Sequence, residues 1–260
     1  MSKWGTKTVD MQIILLPGMD GTGILFRPFI QELAQHIPED IFKKITVQVI
    51  SYPCDQKLSY SQLIDFMRGR LPAEEEIILV AESFSGPVGY ALAAEQPNQI
   101  KAVIFVATFL SPPKGLVWMM PPPLMALLMK IPLPVFFLSR LLFERGSSNT
   151  SNKTIALFKT ALRKVQRPVL AARMREMAGL QIGIEAQELD IPCAYIRAGN
   201  DRLISRSHTE EFRRIAPQLA VTEIPGPHFI MQARPRECVQ IVLKYLNSSI
   251  KRHITQEEMR

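Results

Sequence analysis

Short runs of apolar or β-branched residues recur along the chain at Met11 to Leu16 (MQIILL), Ile45 to Ile50 (ITVQVI), Ile77 to Ala81 (IILVA), Ile100 to Ala107 (IKAVIFVA), Cys193 to Arg197 (CAYIR) and Ala220 to Ile224 (AVTEI). Their length and composition predict strands. Between them, apolar residues return at helical spacing over Phe26 to Ile37, Tyr60 to Leu71, Gly86 to Ala94, His208 to Ile215 and Arg236 to Leu246. Strands that alternate with helices, and that read as near-continuously apolar, are expected in a mostly parallel sheet covered on both faces. The predicted fold is therefore α/β, an open sheet of about six strands with helices on both faces. In such sheets the chemistry lies beyond the carboxyl ends of the strands.

One stretch breaks the alternation. From Ser111 to about Asp190 no convincing strand occurs, only a Pro-, Met- and Leu-rich segment followed by an amphipathic helix predicted over about Lys153 to Met177. We read residues 111–189 as a helical cap inserted in a core formed by residues 1–110 and 190–260. A pair of extra core helices is the plainer alternative. A membrane span is disfavoured, because Pro121, Pro122, Pro123, Pro132 and Pro134 would repeatedly interrupt helical hydrogen bonding and Lys130 sits in their midst. The polar tail from Lys251 to Arg260 is expected to fray.

Composition narrows the class without naming a function. At 260 residues, 47% hydrophobic and 21% charged, the chain can bury a core as a single domain. Lys plus Arg total 31 against 24 for Asp plus Glu, a net charge of +7. No zinc-finger, recognition-motif or aromatic-plus-basic stacking pattern accompanies that excess, so nucleic acid is not an expected partner. Cys54, Cys193 and Cys238 are far apart and form no C-x-x-C pair, and are read as free thiols. The start of the chain runs directly into a strand-like segment without the apolar region of a signal peptide, so a cytoplasmic location is expected.

Four motifs at strand ends carry candidate chemistry. In ILVAESFSGPVGYALA, Ser83 falls at the tip of a strand-turn-helix, where close approach requires small residues two before and two after; Ala81 and Ser85 meet that need. The pattern is A-x-S-x-S, weaker than G-x-S-x-G, and taken alone it also suits a serine capping a helix. LLPGMDGTG is a glycine-rich turn whose backbone N–H groups could face an oxyanion, with Met19 and Phe84 as the natural donor pair. Its spacing, G-x-x-G-x-G, matches neither nucleotide-binding fingerprint. Asp201 in YIRAGNDRLIS and His228 in EIPGPHFIMQARP each lie just past a strand. Singly, these read as a turn former and a structural histidine. Jointly, serine, aspartate and histidine in that chain order, each after a separate strand, form the arrangement of a nucleophile, its orienting acid and its base.

With those residues in place, the chain resembles the α/β-hydrolase family from about Val9 to Leu246. The phrases LLPGMDGTG and SYPCDQKLSYSQL are similar to a subgroup of small esterase-like and acyltransferase-like members. The resemblance implies Ser83 as nucleophile, Asp201 and His228 as its partners, and the Met19 and Phe84 amides as the oxyanion hole. Two departures stand out: Pro17-Gly18 replaces the His-Gly found in many members, and the first two strands of larger members are missing.

The expected activity is hydrolysis of a small-molecule carboxylic ester through an acyl-serine, needing neither a metal nor an organic cofactor. Acyl transfer to an alcohol, thioester hydrolysis and a non-catalytic binding role on the same fold are the alternatives. Trp118, Met119, Met120, Met125 and Met129, with Phe136 and Phe137, offer adaptable apolar surface for a lipophilic acyl or alkyl group, or simply pack a core. In the following helix Ile155, Phe158, Leu162 and Val165 share one face, and Lys159, Arg163, Lys164 and Arg167 fill much of the rest. That basic face is read as solvated, with weak contact to an anionic membrane surface as the second reading. Glu185, Glu188 and Asp190 are secondary candidates for the orienting acid, set back by their place before the fifth strand.

Overall fold

A computed structural model of the protein describes residues 11–42, 45–113, 150–180 and 186–258. Its frame is one six-stranded parallel sheet in the order β2-β1-β3-β4-β5-β6. The strands are β1 (Met11–Leu16), β2 (Ile45–Val49), β3 (Glu76–Glu82), β4 (Ile100–Val106), β5 (Cys193–Ala198) and β6 (Ala220–Ile224). The helices in chain order are α1 (Arg27–His36), α2 (Glu39–Phe42), α3 (Tyr60–Arg68), α4 (Gly86–Glu95), α5 (Thr150–Lys164), α6 (Arg167–Ala178), α7 (Ser207–Ile215), α8 (Ile230–Ala233) and α9 (Pro235–Glu258).

Side-chain alternation along each strand divides the core in two. Ile14, Leu16, Leu79, Ala81, Val103 and Phe105 pack with α3, α4 and α7, whereas Ile13, Leu15, Ile78, Val80, Ile104 and Val106 pack with α1 and α9. A parallel strand buried on both faces has few polar positions to spare, which is why β1, β3, β4 and β5 read as near-continuous apolar runs. The two edge strands depart from that expectation. β2 alternates half-buried and exposed residues, and β6 leaves Ala220, Thr222 and Glu223 exposed, because each has a neighbour on one side only.

The chain runs from β1 outward to β2 and then back across to β3, so the strand order reverses between β1 and β3. Such a reversal opens a crevice at the carboxyl ends of the two strands, because their following loops turn away in opposite directions. Leu16 pairs with Ala81, and the ladder therefore delivers Pro17-Gly18 alongside Glu82-Ser83.

Two expectations are corrected. The helix predicted over about Lys153 to Met177 is two helices, α5 and α6, broken at Val165-Gln166, because Pro168 takes a position in the first turn of α6 and cannot continue the helix before it. The face split within α5 stands: Phe158 is buried and Lys159, Arg163 and Lys164 are exposed. The final helix does not stop near Leu246 but extends through the polar tail to Glu258, where Thr255 Oγ1 donates to the Lys251 carbonyl at 3.1 Å. Residues 114–149, and with them Trp118, Met119, Met120, Met125 and Met129, lie outside the described residues. Among the described residues no helix is long and apolar enough to cross a membrane.

Candidate active site

β3 ends at Glu82, and Ser83 follows with φ of 50°, a left-handed conformation that a non-glycine residue adopts only under strain. Ser83–Ser85 form one 3₁₀ turn and α4 begins at Gly86, with Pro87 in its first turn. The tight reversal presses α4 onto the sheet. A methyl on Gly86 would lie 2.0 Å from Thr108 Oγ1, and one on Gly89 would lie 2.7 Å from Ala81 Cβ. Closeness is thus secured by Gly86 and Gly89, not by the position two after Ser83. Ser85 is left free to do something else: its hydroxyl donates to the Pro17 carbonyl and sits 2.5 Å from the Tyr52 hydroxyl. The Thr108 hydroxyl donates to the Ser83 carbonyl, and the Tyr60 hydroxyl donates to the Phe84 carbonyl at 3.2 Å.

Asp201 and His228 arrive from the far side of the sheet. β5 pairs with β6 through Ala198 and Ile224, and two further backbone bonds extend the ladder past the strand ends, Gly199 N–H to the Ile224 carbonyl at 2.8 Å and Asn200 N–H to the Gly226 carbonyl at 2.9 Å. The loops carrying Asp201 and His228 are thereby fastened together. Asp201 Oδ1 accepts from the amides of Leu203 at 2.8 Å and Ile204 at 3.0 Å, and Oδ2 faces His228 Nδ1 at 2.8 Å. A carboxylate can only accept, so Nδ1 carries the proton and Nε2 presents a lone pair. That lone pair faces Ser83 Oγ at 2.9 Å. The structure brings together the three side chains that the sequence singled out, all buried.

The β1 loop passes over the serine. A Cβ on Gly18 would lie 3.8 Å from Ser83 Cβ, an ordinary packing distance that places the loop's backbone directly beside the serine. Every carbonyl from Pro17 to Thr22 is taken up away from the serine. Pro17 accepts from Ser85, Gly18 from Gly21 N–H at 2.9 Å, Met19 and Asp20 from Arg173 at 2.8 and 2.9 Å, Gly21 from Tyr52 N–H at 2.7 Å and Thr22 from Ser51 Oγ at 2.8 Å. No hydrogen bond among the described residues uses the Met19 amide. With its carbonyls drawn back, this loop leaves the Met19 amide uncommitted, one residue past the Gly18 that lies against Ser83.

A strained serine at a strand-helix turn, a histidine and an aspartate in hydrogen-bonded series, and a parallel sheet beneath them match a known pattern in sequence as well. The model of the serine aminopeptidase S33 family matches residues 59–226. The chain belongs to this family. It is an α/β hydrolase, and its solved likenesses agree at the level of fold. An enol-lactonase from Burkholderia xenovorans superposes with a TM-score of 0.77 at 15% identity, covering 95% of this chain and 94% of that one. A thermophilic esterase from Thermogutta terrifontis gives 0.68 at 16% identity, covering 92% and 90%. The type II thioesterase BorB from the borrelidin biosynthetic cluster gives 0.60 at 15% identity, covering 91% and 92%. No curated protein matches the chain in sequence.

The hydrolase holds further groups that the sequence did not disclose. Glu82, next to Ser83, is buried, with Oε1 accepting from Gln232 Nε2 at 3.0 Å. Burial pushes its carboxyl up to about 7, against the opposing pull of the Gln232 hydrogen bond and of His228. Burial alone would depress His228, but the charge and hydrogen bond of Asp201, then the charge of Glu82, outweigh it and hold the imidazole above its ordinary value. Asp201 is buried too, yet His228 and the two loop amides keep its carboxyl below the usual range. Arg173, on α6, likewise carries no signal in the sequence, because nothing local distinguishes it from its exposed neighbour Arg175. Of the secondary acids, Glu188 and Asp190 are exposed before the start of β5, at the end of the sheet away from His228, and Glu185 lies outside the described residues.

Proposed function

We propose that the protein is a serine esterase that cleaves carboxylic esters with a lipophilic acyl or alkyl group through an acyl-Ser83 intermediate. The observation that carries this reading is the series Ser83 Oγ to His228 Nε2 at 2.9 Å and His228 Nδ1 to Asp201 Oδ2 at 2.8 Å, with the serine at φ of 50°. His228 accepts the Ser83 proton as Oγ bonds to the carbonyl carbon. The Met19 and Phe84 amides hold the oxyanion, the carbon–oxygen bond to the alcohol breaks, and His228 returns the proton to the departing alkoxide. Water then repeats the sequence and releases the acid. Asp201 keeps the imidazole in the tautomer that can accept, and steadies its charged form. The apolar preference draws support from Phe229, whose ring centroid lies 5.6 Å from that of His228 and 5.5 Å from that of Phe158 on α5. The fold's likenesses include an enol-lactonase, an esterase and a thioesterase, whose names describe cleavage of oxygen or sulfur esters, and they favour this class over peptide cleavage.

The test is burst kinetics with p-nitrophenyl esters of graded acyl length, combined with an active-site phosphonate. Wild type is expected to turn over and to label at Ser83, with Ser83→Ala and His228→Ala losing on the order of 10⁴-fold or more in turnover while their thermal midpoints stay close to wild type. Retained turnover in either variant sinks the assignment.

A further inference from the structure

Arg173 is almost wholly buried, although it belongs to the insertion between β4 and β5 and not to the sheet core. Its guanidinium spends its donors on backbone. Nη1 donates to the Met19 carbonyl at 2.8 Å and to the Asp20 carbonyl at 2.9 Å, and Nη2 donates to the Pro53 carbonyl at 2.9 Å. The charge lies 5.5 Å from the Tyr52 ring, and Tyr52 touches the Ser85 hydroxyl. Gly21 leaves room for it: at φ of 70° its backbone passes so close that an added methyl would lie 2.5 Å from Nη1. Two other contacts seat α6 on the same part of the core, Gln166 N–H to the Cys54 carbonyl at 3.0 Å and Tyr60 N–H to Glu176 Oε2 at 3.0 Å.

Desolvation of a guanidinium is costly, and burial lowers its proton affinity here. Docking a helix does not require that expense, since α6 already buries Val169, Leu170 and Met177. What the arginine alone supplies is a grip on two successive carbonyls of the turn that carries the uncommitted Met19 amide. The Met19 N–H lies in the same peptide plane as the Gly18 carbonyl, which Gly21 N–H holds at 2.9 Å; by gripping the Met19 and Asp20 carbonyls Arg173 fixes the two planes that follow, and so holds the turn in which the Met19 N–H is set. A planar fork with fixed donor directions can do this from two nitrogens, Nη1 on Met19 and Asp20 and Nη2 on Pro53, whereas an ammonium carries all its donors on one nitrogen and cannot occupy both places.

We propose that Arg173 is a positioning residue for the oxyanion hole, linking the seating of the inserted helices to the catalytic power of Ser83. This rests on the esterase reading above and adds a residue to it. An oxyanion donor aimed off target loses transition-state stabilisation while ground-state binding is spared, so kcat should fall and KM should hold.

The experiment compares wild type with Arg173→Met, Arg173→Lys and Arg175→Ala, the last an exposed arginine on the same helix. Each is assayed for kcat and KM on p-nitrophenyl butyrate, and for inhibition by butylboronic acid, which forms a tetrahedral adduct on serine, and by butyrate, which does not. Arg173→Met is expected to lower kcat by about 10²-fold and to weaken the boronate by a similar factor, with KM and butyrate affinity changed by less than about threefold. Arg173→Lys should retain about a tenth of kcat, and Arg175→Ala should match wild type. A residue that merely docks the helix would raise KM and weaken boronate and butyrate alike, which overturns the proposal. So does a folded Arg173→Met with wild-type kcat. If Arg173→Met does not melt cooperatively, Arg173→Lys decides by the same ratio of boronate to butyrate. Absence of turnover and of boronate binding in wild type fails the esterase reading itself, a result distinct from an active wild type with unaffected variants.

Discussion

At His228, burial and charge act in opposite directions, and the charges of Asp201 and Glu82 prevail. The imidazole must be neutral to accept the Ser83 proton, so a raised value places the acid limb of kcat/KM above the ordinary histidine midpoint of about 6.5. Glu82 contributes to that rise as an anion that stabilises the imidazolium. Glu82→Gln removes the charge and keeps the shape and the Gln232 contact. Its acid limb should therefore move to lower pH, read from kcat/KM between about pH 5 and about pH 9; a midpoint that stays or rises contradicts the coupling. Asp20 also acts on Glu82, raising it, and is itself held by Thr22 N–H at 2.7 Å and the Thr22 hydroxyl at 2.6 Å. Ser83, Asp201 and His228 were legible because their residue types and strand-end positions are local facts. Glu82 was hidden in plain view, since whether a carboxylate at the end of a strand meets water or a core depends on what lies above it.

The element that most constrains the chemistry is the turn from β3 into α4. Helix propensity alone predicts that alanine in place of a helical glycine gains up to about 1 kcal/mol. Gly86 should invert that sign, because its methyl would meet Thr108 Oγ1 at 2.0 Å, and the same hydroxyl donates to the Ser83 carbonyl. Gly86→Ala is expected to cost about 1–3 kcal/mol in urea unfolding and to lower kcat through the displaced Ser83; a stabilised variant would contradict this packing. Four of the six strand segments were legible as buried from their apolar runs, and the capping box of α3, in which Ser59 and Gln62 exchange hydrogen bonds, starts that helix where the pattern placed it. The break between α5 and α6 was signalled by Pro168 and was overridden by a periodicity that continues across it. The end of α9 departs from the pattern for a different reason. Polar residues there mark a solvated helix face, not the loss of the helix.

Across the whole molecule, Glu82 links the site to global stability. Its carboxyl sits at about 7 in the folded chain against 4.5 when unperturbed, so the folded state binds the proton more tightly. The contribution of this group is fully present below the lower value and is lost as pH rises through the higher one. Above it, a buried carboxylate costs on the order of 3 kcal/mol. Glu82→Gln should thus exceed wild type in urea stability at about pH 8 and converge with it at about pH 4, and a variant less stable at the higher pH would show that the carboxylate is favoured there. By itself the sequence determined the alternation of strands and helices, the sheet they imply, the insertion after β4, and the serine, aspartate and histidine at the ends of three separate strands. These follow from spacing and turn chemistry among neighbours in the chain. Only the tertiary structure decided which strands form edges, that Ser85 holds Pro17, that Glu82 is sealed from water, and that Arg173 reaches carbonyls more than 150 residues before it. Those contacts arise where β1 and β3 diverge and an inserted helix closes over the gap. No local pattern encodes them, because their energy depends on which distant backbone groups the fold leaves without a partner.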